Sequence, residues 1–371
     1  MTKKYFEHVG SFLRPVELKE AREAFEAGKL SQEELTAVED RLITDLVDKQ
    51  VAIGLEKITD GEFRRAYWHL DNFWGFDGVE HEHFGQGYRF HGEETGDDTA
   101  VLRGKLGFTK ENHPFIAHYD FYKKLADERG VEAKITIPAP AQFLAELNRG
   151  KNAATVAEFY PSRQDFLRAI AEVYREEILA LYETGARTVQ LDDCTWGMLI
   201  DEDFWHTMAG AGFKKEDVIE EYLYVNNNAI KDLPSDLTIN THVCRGNFHS
   251  TYAAKGAYDD VAEAFFGREN ARAYFLEYDN ERSGGFEPLA AFKGLDKIAV
   301  LGLITTKDGQ LEDKETIIQR IHEAAEILPL DQLWLATQCG FASTQEGNIL
   351  TEEDQWKKLT LVKEIIDEVW G

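Results

Sequence analysis

Short apolar runs rich in β-branched residues alternate along the chain with longer stretches whose apolar positions recur every three or four residues. The short runs are FEHVGS, EKITDGE, AVLRGKL, AKITIPAP, TVQLDDC, LTINTHVC, AYFLEYD, IAVLGLI and LWLATQCG. Most are continuously apolar, the pattern of parallel strands covered on both faces. The longer stretches predict helices. Ser31-Gln32-Glu33-Glu34 reads as a capping box that opens a helix through about Val51. Ser162 to Tyr182 is amphipathic and is followed by Gly185, a C-cap signal. Lys314 to Leu328 and Thr351 to Val369 continue the series. Repeated strand-helix alternation with right-handed crossovers implies an α/β fold on a parallel sheet. The expected architecture is a (β/α)8 TIM barrel with an N-terminal helical segment. Nine strand candidates exceed the eight that a barrel takes. The stretch from about Tyr67 to Leu106 is aromatic, glycine-rich and without a clean helix, so 67–106 is expected to be an inserted loop or hairpin. With no repeat, linker or low-complexity tract, residues 1–371 are expected to form one domain.

Composition narrows the function classes. Hydrophobic residues are 43% of 371, enough for a large core. Lys and Arg total 41 against 68 Asp and Glu, a formal charge of −27. Such a surface repels nucleic-acid phosphates and anionic lipid, so neither is expected as a partner. A small anionic substrate stays compatible, because the field of a pocket differs from the net field. The three cysteines, Cys194, Cys244 and Cys339, do not make a disulfide framework and fit reduced thiols. The start, MTKKYFEHVGSF, lacks a secretory apolar run, and no stretch reaches the roughly 18 apolar residues of a membrane span. A soluble cytoplasmic protein is expected.

The strand candidates end in HVGS, TDGE, LDD, THVC, LEYD and TQCG. In an α/β barrel the C-terminal strand ends build the active site. His242 and Cys244 are two apart, so on a strand they face the same side. The next strand candidate supplies Glu277 and the last supplies Cys339. A lone buried cysteine is ordinarily packing. One nitrogen, two sulfurs and one carboxylate at strand ends suit tetrahedral Zn²⁺. Their long separations are unlike the close ligand pairs of a zinc finger.

HVGSF, DGE, QLDD, THVC, the glutamate of FLEYD and TQCGF occur in the order that resembles the catalytic barrel of cobalamin-independent methionine synthases. The resemblance covers nearly the whole chain. It implies zinc held by His242, Cys244, Glu277 and Cys339. It implies a homocysteine carboxylate at the backbone of Val9, Gly10 and Ser11, and its ammonium at Glu62 and Asp192. The activity implied is methyl transfer to the homocysteine thiol, giving methionine. The chemistry is consistent: a thiolate is the nucleophile, and a metal-bound thiol loses its proton. Carboxylates suit an ammonium through charge-assisted hydrogen bonds.

The chain also departs from that family. It corresponds to one barrel of the two in the larger enzymes. The strand that carries the family's proton-donating histidine reads LGLITTKDGQ, with Thr305, Thr306 and Lys307 and no histidine, so no catalytic residue is assigned. Asp193, Cys194 and Trp196 follow Asp192, and Trp196 reads as core or rim. The methyl donor is left open between a methylfolate, a methylated corrinoid protein and another methyl compound. Alternatives are zinc-dependent alkyl transfer to another small thiol, such as coenzyme M, and a zinc- or homocysteine-binding protein without turnover. His69, His81, His83 and His91 form a second histidine-rich patch. His81-Glu82-His83 has strand spacing, but the patch reads as a solvated loop, or in functional terms a lid.

Overall fold

The computed structural model describes residues 5–371. Among the described residues nine strands are formed: β1 Lys57–Ile58, β2 Asp77–His83, β3 Asp98–Gly107, β4 Glu132–Pro138, β5 Thr188–Asp192, β6 Thr238–Val243, β7 Ala273–Glu277, β8 Ile298–Ile304 and β9 Leu333–Thr337. Seven make one parallel sheet in the order β1-β4-β5-β6-β7-β8-β9, and β2 pairs with β3 alone. Registration aligns the polar strand ends: Asp192 lies opposite His242, and Glu277 opposite Gly302.

Period-two alternation assigns the sheet faces. Ala273, Phe275, Ile298, Val300 and Ala336 pack together with Val9 on one face. Tyr274, Leu276, Leu301 and Leu335 join the larger core, with helix residues such as Ile321 and Val362, on the other. Both faces are therefore apolar, which is why the sequence runs lack alternation.

The N-terminal segment touches both edges of this sheet. Glu7 makes a parallel bridge to Lys57 of β1, and Tyr5 stacks on Trp334 of β9 at 3.7 Å. A segment that reaches both edges requires the sheet to curl. The expected eighth strand is not a ladder, however: FEHVGS contributes a single bridge. The carbonyls of Phe6 and Ser11 accept from the backbone N–H groups of Glu56 and Phe341, and those of His8, Val9 and Gly10 are taken by side chains. Lys134 Nζ donates to His8 O at 2.5 Å, Gln190 Nε2 to Val9 O at 2.8 Å and Thr59 Oγ1 to Gly10 O at 2.8 Å. Those side-chain bonds stand where the bonds of a ladder would otherwise run.

The helix signals largely hold, with shifted ends. Helix Gln32–Ile53 starts at the Ser31–Glu34 capping box and stops at Gly54, whose φ of 91° needs no Cβ. Ser162 caps Arg163–Glu183, and Thr351 caps Glu352–Val369 through a second capping box with Asp354. Lys314–Ala325 ends earlier than predicted. Val16–Glu26 is the N-terminal helical segment. Candidate AVLRGKL falls in β3, outside the parallel sheet, and pairs with β2, which the sequence had not resolved as a strand. Among the described residues, no helix is long and apolar enough to cross a membrane.

Candidate metal centre

The site lies where β5, β6, β7 and β9 end. His242 is buried, and its Nδ1 donates to Phe275 O on the adjacent strand at 3.0 Å. That bond fixes the tautomer and turns the Nε2 lone pair inward. His242 Nε2 is buried with no hydrogen-bond partner. Cys244 and Cys339 supply the complement: the ligand atoms of His242, Cys244 and Cys339 all lie within 4.8 Å of one another, and all three residues are buried. An imidazole lone pair left without a donor beside two thiols is a donor set that fits Zn²⁺.

The four expected ligands do not all converge. The Glu277 side chain is fully buried at the end of β7, yet its carboxylate stands apart from the other three. One oxygen accepts from the Arg245 backbone N–H at 2.8 Å. The other lies 2.5 Å from Arg282 Nη2, a side chain only 10% exposed. Arg282 also donates to Ala254 O at 3.2 Å and sits 4.5 Å over the Tyr252 ring. Nothing in DNERSGG marked this arginine.

Cys194 was likewise unmarked. Its sulfur lies 3.4 Å from that of Cys244. Hydrogen bonds from Cys194 and Cys339 hold the Cys244 thiol well below the ordinary thiol range, while Cys194 and Cys339 are pushed above it. Trp196 is core: it is fully buried, stacks on Phe265 at 5.0 Å and donates to Glu269 at 3.1 Å.

A small polar pocket adjoins the sulfurs. Ser11 O accepts from Phe341 N at 2.9 Å, and Ser11 Oγ from Ala342 N at 3.2 Å, which places Val9-Gly10-Ser11 against the loop that follows Cys339. Gly10 is required there, since a Cβ would stand 2.9 Å from Thr136 Cγ2 and 3.0 Å from Glu62 Oε1. Glu62 adopts a left-handed backbone, φ 60°, uncommon for a residue with a side chain. Two hydrogen bonds hold it: its N–H donates to Asp60 Oδ1 at 2.9 Å, and its carbonyl accepts from Arg14 Nη2 at 2.7 Å. Its Oε1 accepts from Thr136 Oγ1 at 2.9 Å, whereas Oε2 is buried without a partner. Asp192 is buried rather than solvated and accepts from Gln190 Nε2 at 2.8 Å. Burial pushes its carboxyl up to about 7, opposed by His242 and reinforced by the negative charge of Glu62. The buried Arg65 guanidinium, with Nη1 3.6 Å from Glu62 Oε1, answers part of this negative charge, and the unpartnered Glu62 Oε2 leaves an acceptor for a further cation.

On the other side, Lys307 Nζ is buried without a hydrogen-bond partner. Thr306 is not at the centre, as its hydroxyl donates to Gly340 O at 2.9 Å. The 67–106 insertion packs onto the loops that carry the thiols. Trp68 N donates to Ser343 O at 2.9 Å, His91 N donates to Tyr252 O at 2.8 Å, and Phe90 meets Phe248 at 5.3 Å between ring centres.

Comparison with known proteins places this geometry in context. The family described as the catalytic domain of cobalamin-independent synthase matches residues 129–354. A Bacillus subtilis protein designated uncharacterized protein YxjH is 43% identical over 364 residues, covering 98% of this chain and 94% of that protein. The methionine synthase of Sulfurisphaera tokodaii is 25% identical over 336 residues, covering 90% of this chain and 84% of its own length. Among solved structures, a Listeria monocytogenes protein provisionally designated a vitamin-B12 independent methionine synthase is 36% identical, with a TM-score of 0.76 and full coverage of both chains.

Proposed function

The chain belongs to the cobalamin-independent methionine synthase family of methyltransferases, and from that premise we propose that it transfers a methyl group to the thiol of L-homocysteine, with zinc held by His242, Cys244, Glu277 and Cys339. The observation that carries the reading is the convergence of the unpartnered His242 Nε2 with the Cys244 and Cys339 thiols, next to a pocket with two buried acids. Zinc bound there would supply the positive charge that keeps the substrate sulfur deprotonated at neutral pH. Glu62 and Asp192 would take the substrate ammonium, which would satisfy the free Glu62 Oε2. The Val9-Gly10-Ser11 backbone would face the carboxylate, its peptide units oriented by the donors that hold the carbonyls of His8 to Gly10. Glu277 is the fourth ligand of this reading, and it joins the set only on leaving Arg282. Lys307, a buried cation in place of the family's histidine, is the group of this chain nearest in character to a proton donor.

The same reading takes residues 1–371 as one catalytic domain, with the Glu7 bridge marking the eighth stave of a (β/α)8 barrel and 67–106 as a lid-like insertion. A methylfolate is the donor that family membership favours. A corrinoid protein has no support among the relatives. The test is transfer of a labelled methyl group from 5-methyltetrahydrofolate to L-homocysteine, followed by mass spectrometry. Labelled methionine formed by the zinc-loaded protein and lost in Cys339→Ser is the expected result. Zinc-loaded protein that methylates a different thiol, or none, overturns it.

A further inference from the structure

The insertion holds a second cluster of metal-ligating side chains that the reaction does not use. In the β2–β3 pair, His83 stands directly opposite Asp98, and His81 opposite Ala100. His81 and His83 are two apart on one strand, and cross-strand partners share a face, so His81, His83 and Asp98 point the same way. Their ligand atoms lie within 4.8 Å of one another. His81 Nε2 is 2.6 Å from Asp98 Oδ1, and His83 Nδ1 is 3.7 Å from that same oxygen and 2.9 Å from Asp97 Oδ1. Around an ion with ligand bonds of about 2.0–2.1 Å, tetrahedral ligand atoms sit roughly 3.3 Å apart. The two shorter separations are imidazole–carboxylate hydrogen bonds, which a bound ion would replace and open toward that spacing.

The cluster is also held from outside, as metal ligands are. Tyr67 OH donates to the second oxygen of Asp98 at 2.5 Å, which leaves Oδ1 facing the histidines. Gly85 N donates to the second oxygen of Asp97 at 3.1 Å. The Trp74 ring lies 4.3 Å from that of His81 and sets its plane. Two neutral imidazoles and two carboxylates carry a formal charge of −2, which a dication cancels.

We propose that His81, His83 and Asp98, with Asp97 alongside His83, form a second divalent-metal site, of the Zn²⁺ class, on the insertion hairpin. Imidazole ligands select a borderline transition metal over Ca²⁺ or Mg²⁺. Side-chain exposures of 48% for His81 and 69% for His83 leave room for a bound water. The site has a structural consequence for the inner centre. Tyr67, which holds Asp98, bridges in antiparallel fashion to Thr344, in the loop that follows Cys339. An ion here would brace the insertion against that loop. The proposal does not depend on the methyl-transfer reading.

The test is calorimetric titration of metal-stripped full-length protein with Zn²⁺. Wild type is expected to take up one equivalent that His81→Ala/His83→Ala lacks and that Cys244→Ser/Cys339→Ser retains. Because both histidines are exposed, the double alanine variant keeps its fold, which circular dichroism verifies. Tyr67→Phe keeps the stoichiometry and weakens that equivalent by about 10–100-fold, the effect of losing an outer-shell partner. Ca²⁺ gives no competing uptake. Superimposable wild-type and His81→Ala/His83→Ala isotherms overturn the proposal. Loss of the whole Zn²⁺ signal in the histidine variant supports it and counts instead against the inner zinc.

Discussion

Arg282 decides whether Glu277 is free to reach a metal, and Arg282→Met separates the two states. In the metal-free protein the substitution leaves a fully buried carboxylate facing the position of a lost cation. Breaking a buried pair by removing one partner costs about 3–5 kcal/mol, because the remaining charge is uncompensated. Loss of the hydrogen bond to Ala254 O and of the contact with the Tyr252 ring adds about 1 kcal/mol each. Methionine retains much of the apolar stem, so packing changes little. In the zinc-loaded protein Glu277 has the metal in place of the arginine, and the last two losses remain together with that of the 3.7 Å contact to Asp279, which both forms share. Zinc then stabilises the variant more than wild type by about 3 kcal/mol, which is about a hundredfold in affinity. Urea unfolding of metal-free and zinc-loaded protein, with chelator competition for the inner equivalent, measures both quantities. His81→Ala/His83→Ala serves as background so that the outer site does not contribute. Equal destabilisation of the metal-free and loaded forms, with unchanged zinc affinity, would refute Glu277 as a ligand.

Two further outcomes follow from buried carboxylates. Glu62→Gln leaves the Thr136 bond an acceptor but removes the charge opposite the substrate ammonium. Truncating one partner of a buried charge pair costs about 2–5 kcal/mol, so homocysteine binding weakens by at least about 30-fold while zinc content is unchanged. Unaltered homocysteine affinity would remove Glu62 from the pocket. Glu177 is buried beside Asn72, whose Nδ2 donates to it at 2.6 Å. Burial pushes its carboxyl from 4.5 up to about 8. A folded-state value above the unfolded one gives stability that is present below pH 4.5 and lost as pH rises through 8. Relative to wild type, Glu177→Gln therefore gains up to about 1.4 kcal/mol per pH unit between pH 5 and 8. Denaturant unfolding across that range checks it, and a difference independent of pH contradicts it.

The strand ends were legible because parallel strands buried on both faces write themselves as continuous apolar runs, and polar residues stand out where they stop. Two-residue spacing gave the shared direction of His242 and Cys244, and the capping boxes at Ser31 and Thr351 marked helix starts. Spacing carries no distance, however. Cys194 and Cys244 are 50 residues apart and meet at 3.4 Å through the β5–β6 pairing. Parity aims Glu277 at the centre, but Arg282 captures its carboxylate, and no periodicity encodes that competition. FEHVGS has the composition of a strand. In place of a ladder, Lys134, Gln190 and Thr59 reach its carbonyls from distant strands and loops, a pairing that spacing does not show. The hairpin strand β2, DGVEHEH, was hidden by its polarity, since an exposed strand buries little.

Absorption of the Co²⁺-substituted protein, with His81→Ala/His83→Ala removing the outer site, tests the central claim most directly. One equivalent of cobalt bound by His242, Cys244 and Cys339 should show a thiolate-to-cobalt band. Addition of L-homocysteine should intensify that band as a third sulfur joins the ion, and L-homoserine, which lacks the thiol, should leave it unchanged. A band that does not respond to L-homocysteine would contradict the account, because the substrate sulfur would then not meet the metal.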